Sequence, residues 1–78
     1  MNVRAELGFD SIRVYLGDTL HIDIRRKEYR GLQSWKWRKN YKIEFSLSDA
    51  PPMLVEYTDE ALWLSVLVEL EKLPLNGD

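Results

Sequence analysis

The sequence predicts an α+β domain: an antiparallel meander of about five strands, with one C-terminal helix packed across one face to make two layers. Three observations carry that expectation. Apolar residues recur at every second position in five separate runs, the spacing of strands with one wet face. Residues 61–73 are apolar too densely, and for too long, to be another such strand. Short connections rich in glycine, serine, aspartate and proline separate the runs, as consecutive antiparallel neighbours require.

The runs are as follows. Val3, Ala5 and Leu7 alternate with Arg4 and Glu6; Ile12, Val14 and Leu16 with Arg13 and Tyr15; Leu20, Ile22 and Ile24 with His21 and Asp23. Tyr41, Ile43, Phe45 and Leu47 alternate with Lys42, Glu44 and Ser46, and Met53, Val55 and Tyr57 with Leu54 and Glu56. A one-residue slip would turn an apolar set to water, so loop parity selects the register. A connection over 8–11 sets Leu7 opposite Ile12. A three-residue loop over 17–19 sets Leu16 opposite Leu20, whereas a two-residue turn at Gly17-Asp18 would scramble both stripes. A hairpin turning at 31–34 sets Ile24 opposite Tyr41 and Ile22 opposite Ile43. The connection over 48–52, broken by Pro51-Pro52, sets Phe45 opposite Val55.

The wet face checks that register independently. One row reads Glu6, Arg13, Asp23, Lys42, alternating in sign; the next reads Arg4, Tyr15, His21, Glu44, Glu56, and its last pair is a defect. Thr58 then caps a helix over 59–73, whose acids Asp59 and Glu60 suit the positive end of its dipole. Ser65, Glu69 and Lys72 mark its narrow wet stripe, and Pro74 stops it. Residues 76–78 are expected to be a frayed tail.

One domain, residues 1–78, accounts for the whole length. An apolar fraction of 45% is that of a globular chain, with a stability of a few kcal/mol at this size. There is no cysteine, which excludes disulfides and thiolate chemistry. The first residues lack the apolar core of a secretory signal, and no run approaches the ~20 apolar residues of a membrane span. The expected protein is soluble and cytoplasmic, in the host cytoplasm if a phage encodes it.

Charge is segregated. Residues 25–42 hold eight of the eleven Lys and Arg residues against Glu28 alone, a formal +7 inside a chain of net −2, so the remainder carries −9. Trp35, Trp37, Tyr29 and Tyr41 lie in the same run. The expectation is a protruding basic, aromatic β-hairpin arm, with Arg26 opposite Lys39 and Arg30 opposite Trp35. Its contact residues would be Arg26, Tyr29, Arg30, Trp35, Trp37, Arg38 and Lys39. Tryptophan and arginine are the commonest interface anchors, and cations steer an acidic partner. A protein with an acidic surface is therefore the expected partner, a second copy of this chain included. The alternative is nucleic acid, with cations on phosphates and bases stacked on the rings. In the bland reading, the indoles fold back on the core under Lys and Arg stems.

Nothing in the sequence points to catalysis. His21 and Asp23 lack a nucleophile, and no cluster has metal-ligand spacing. Glu44 and Glu56 are the only paired acids, and an exposed flat sheet is a poor place for a shared proton. Gly8, Gly17, Gly31 and Gly77 are isolated, so no phosphate-binding loop is present. Neither a cofactor, a metal nor a small-molecule substrate is expected. A compact non-enzymatic domain with one anchor has the character of an adaptor or inhibitor, of the kind phages encode.

Overall fold

A computed structural model describes residues 2–75. It contains six strands in two antiparallel sheets of three, plus one helix. The first sheet is β1 (Val3–Leu7), β2 (Ser11–Leu16) and β3 (Thr19–Arg25); the second is β4 (Tyr29–Trp37), β5 (Asn40–Leu47) and β6 (Met53–Tyr57). A single 3-10 turn, Arg26–Glu28, links the sheets, and helix α1 (Glu60–Glu71) follows β6. The α+β class stands. The single five-stranded meander is corrected, because β3 does not pair with β5; β4, formed within the basic run, takes that place.

The first sheet keeps the expected stripes by a different route. Leu7 pairs with Ile12 and Glu6 with Arg13, as the alternation requires. The turn after β2 has two residues, not three: Leu16 faces Thr19 across Gly17-Asp18, with Gly17 at φ 62°. Such a turn favours a residue that tolerates positive φ. A β-bulge at His21 absorbs the parity error, so Val14 still faces Ile22 and Ile12 still faces Ile24. Arg13 faces Asp23 and lies 3.5 Å from it.

In the second sheet the corrections are larger. The hairpin turns at Arg38-Lys39, between the paired residues Trp37 and Asn40, and not at 31–34. Arg38 takes φ 59°, the positive value this short turn needs. Gly31 lies inside β4, paired with Ser46 at φ 144°, immediately after a bulge at Arg30. β6 pairs Ile43 with Val55 and Phe45 with Met53, two residues from the expected register. An even shift leaves every side chain on its face. It also removes the expected Glu44–Glu56 clash, placing Glu56 beside Lys42 at 3.6 Å.

Both sheets and the helix share one core: Ile12, Val14, Ile22, Ile24, Ile43, Phe45, Tyr57, Trp63, Val66 and Leu70. No polar or charged residue is buried among those described. The helix is capped by Asp59, one residue after the expected Thr58; its carboxylate accepts from the amides of Ala61 at 2.9 Å and Leu62 at 3.4 Å. α1 packs beside β1 and against β5 and β6. Trp63, Val66 and Leu70 face inward, whereas Leu64 and Val68 join Ser65 on the wet side. The wet stripe is therefore wider and greasier than expected.

Candidate functional site

β4 and β6 are the edge strands of the second sheet, and only the turn from Trp37 to Asn40 extends beyond the last β6 pairing, Tyr41 with Tyr57. Every residue from 33 to 40 is exposed. Strand alternation divides them between two faces. Leu32, Ser34 and Lys36 share the face of Phe45, Ile43 and Tyr41. Yet Ser34 and Lys36 are in water, because the core does not reach them. Lys36 instead approaches the helix start, 3.7 Å from Glu60.

Trp35 and Trp37 stand on the opposite, outer face. Trp37 is 65% exposed and Trp35 39% exposed, so the bland reading of both rings as core does not hold. The register sets Trp35, Lys42 and Glu56 in one row, and Gln33, Glu44 and the exposed Leu54 in the next. Gln33 donates to Glu44 at 2.6 Å. The Arg38 guanidinium lies 5.5 Å from the Trp37 ring centre, within cation–π range. The surface is thus two indoles and a leucine on a flat sheet, tied at its sides by neutral and charged cross-strand pairs.

The expected contact residues fall into two groups. Trp35, Trp37, Arg38 and Lys39 share the hairpin end, while Arg26, Tyr29 and Arg30 lie at the other end of β4. At about 3.3 Å per residue, the five steps from Arg30 to Trp35 separate the groups by roughly 16 Å at their nearest. One continuous +7 surface is therefore not formed. The basic run reads as one patch in sequence only because β4 threads through its middle. Near the second group, the exposed Phe9 escaped sequence reasoning. Its setting between Gly8 and Asp10 in a short connection was the available signal.

His21 also sits differently from its expected place on the wet face. The bulge turns it toward β6, where Nε2 lies 2.8 Å from the Tyr57 hydroxyl and the rings meet edge to face. The contact joins the first sheet to the second. Burial lowers the His21 pKa below 6.5 and pushes the Tyr57 hydroxyl up to about 12; it also raises Tyr29. The signs follow from linkage. Unfolded histidine binds more protons than folded, so stability is fully present above about pH 6.5 and falls as pH drops toward the lowered folded value. Unfolded tyrosine ionises near pH 10 while folded Tyr57 holds its proton to about 12, so stability is lost again across that interval. Urea midpoints measured from pH 5 to 11 are expected to peak between those limits. Tyr57→Phe should flatten most of an alkaline loss of roughly 1–2 kcal/mol; an unchanged alkaline limb would show that Tyr57 does not cause it.

Among the described residues no group of His, Asp or Glu is arranged to hold a metal ion, and no helix is long and apolar enough to cross a membrane. Compared with protein families, curated proteins and solved structures, the chain matches none.

Proposed function

We propose that the chain is a non-enzymatic binding module, adaptor- or inhibitor-like, that docks a protein partner on the outer face of the β4–β5 hairpin. The observation that carries this reading is the pair of indoles, 65% and 39% exposed, held side by side on a hydrogen-bonded ribbon. Two large rings in water are costly unless something covers them, and a paired ribbon presents them with little conformational entropy left to lose. Arg38 and Lys39 at the tip would steer an acidic surface inward, and Leu54 would extend the apolar centre.

Nucleic acid is the weaker reading for this face. Glu56 stands in the row of Trp35 and Glu44 in the neighbouring row on the same face, where both would repel phosphates, and Lys42 is already paired with Glu56. The mixed signs suit a protein surface, where acceptors and donors alternate.

The test uses the full chain as bait, identifies the bound protein, and compares its Kd for wild type and a Trp35→Ala, Trp37→Ala double variant. Each indole is expected to contribute as a hot spot, so binding should weaken by roughly 30-fold or more per residue. The melting temperature should stay within about 4–8 °C, since neither ring is core. Equal affinity for both proteins, or no partner recovered at stoichiometric levels, would remove this function.

A further inference from the structure

We propose a second binding site, for single-stranded nucleic acid, in the basic groove between the β1–β2 loop and the 3-10 turn. It is separate from the tryptophan face and does not depend on it. Phe9 at the tip of that loop is 97% exposed, a phenyl ring with almost nothing on either side. Beside it lies a concavity of about 620 Å³ lined by Phe9, Asp10, Arg25, Arg26 and Lys27. A second, of about 340 Å³, adjoins it through Arg26 and Lys27 and reaches Tyr29 and Arg30. The two share Arg26 and Lys27 and form one trough, with Phe9 in its first part, Tyr29 in its second, four cations along it, and Ile12, Pro74 and Leu75 as the apolar wall of the second part.

The trough is built, not merely a coincidence of flexible side chains. The amide of Arg26 donates to the carbonyl of Asp10 at 2.9 Å, and its guanidinium donates to the carbonyl of Gly8 at 3.3 Å. These bonds fix the loop that carries Phe9 to the turn that carries the cations. Arg30 donates to the carbonyls of Lys27 and Tyr29, both at 3.2 Å. Neutral carbonyls orient these guanidiniums without cancelling their charge. Among the described residues, Arg25 pairs only loosely with Glu28, at 4.0 Å, and Lys27 forms no ion pair. Arg25, Arg26, Lys27 and Arg30 thus outweigh Asp10 and Glu28.

Shape decides among anionic partners. A bilayer surface is met by a convex crown of cations, whereas these line a channel. A channel with cations along it and a ring in each part fits a flexible polyanion with stackable units. Phosphates would follow Arg25 to Arg30 while one base stacks on Phe9. Asp10 repels a phosphate and can accept from a base N–H, the imide N–H of thymine included, which places the backbone on the arginine side.

The test measures fluorescence anisotropy of a labelled oligothymidylate of about ten nucleotides against the full chain at several salt concentrations. Binding is expected, weakening as salt rises. Phe9→Ala should weaken it about tenfold, and a fold change in the melting transition is not expected because the ring packs on nothing. Arg25→Ala with Lys27→Ala should lower the slope of log K against log[salt] by about 1.4, the share of two contacts to a single strand. Trp35→Ala with Trp37→Ala should leave the affinity unchanged. The site is overturned if Phe9→Ala binds as wild type does, or if the tryptophan variant is the one that fails. It is equally overturned if phosphatidylserine vesicles capture the chain while the oligonucleotide does not.

Discussion

Phe45→Ala is expected to lower the unfolding free energy by about 3–5 kcal/mol, read from urea denaturation at neutral pH. For a chain of 78 residues that is a large share of a total of roughly 4–12 kcal/mol. Phe45 is fully buried in the central strand of the second sheet, paired with Leu32 on one side and Met53 on the other. Both sheets and the helix meet in the core it belongs to. Removing the ring leaves a cavity in the core that the two sheets and the helix share, and their packing limits how far it can close. Phe9→Ala makes the same chemical change on the surface and should cost less than about 0.5 kcal/mol. A loss below about 1 kcal/mol at Phe45 would show that the second sheet does not seal the core as described.

Trp63→Ala should cost a comparable 3–5 kcal/mol, and Trp63→Phe about 2 kcal/mol. Trp63 anchors the helix by two contacts of different kind. Its ring lies against Tyr41 with centroids 5.2 Å apart, and its indole N–H donates to the carbonyl of Lys42 at 3.1 Å. Phenylalanine keeps most of the apolar area but leaves that carbonyl without its donor. At about 4–8 °C per kcal/mol, Trp63→Phe should lower the melting temperature by roughly 8–16 °C. Fluorescence offers a second reading. Trp63 is the buried tryptophan of the three, so its loss should shift emission toward the red of the two exposed indoles. An unshifted spectrum with an unchanged melt would place the helix elsewhere.

Much of the core was legible because burial leaves a period-two record. Val14, Ile22 and Ile24 were assigned to one face correctly even though the loop between them was one residue too long. The structure corrects the count with a bulge at His21, and an apolar stripe carries no trace of which residue is extra. The Glu44–Glu56 clash was a real signal: it marked the β5–β6 pairing, whose register differs by two residues. β4 was illegible for a definite reason. It is an edge strand whose Ser34 and Lys36 are exposed even on the core-side face, so they need not be apolar and the alternation vanishes. Gly31 has the character of a turn residue but is a paired strand residue beside the bulge at Arg30. The true turn at Arg38-Lys39 contains neither glycine, asparagine, aspartate nor proline. Trp35 and Trp37 were readable as a pair because they stand two apart. Their separation from Arg26, Tyr29 and Arg30 depends on a strand that charge had hidden.

The uncapped margin of β4 bears on how the protein behaves when concentrated. Two copies meeting there in full antiparallel overlap would set Arg30 of each against Lys36 of the other, since both pairs sit symmetrically about Gln33. Like charges face to face oppose such joining. That protection is electrostatic and therefore fades as ions are added. Strong salt is therefore the condition under which this chain loses its guard against closing edge to edge into a two-fold pair.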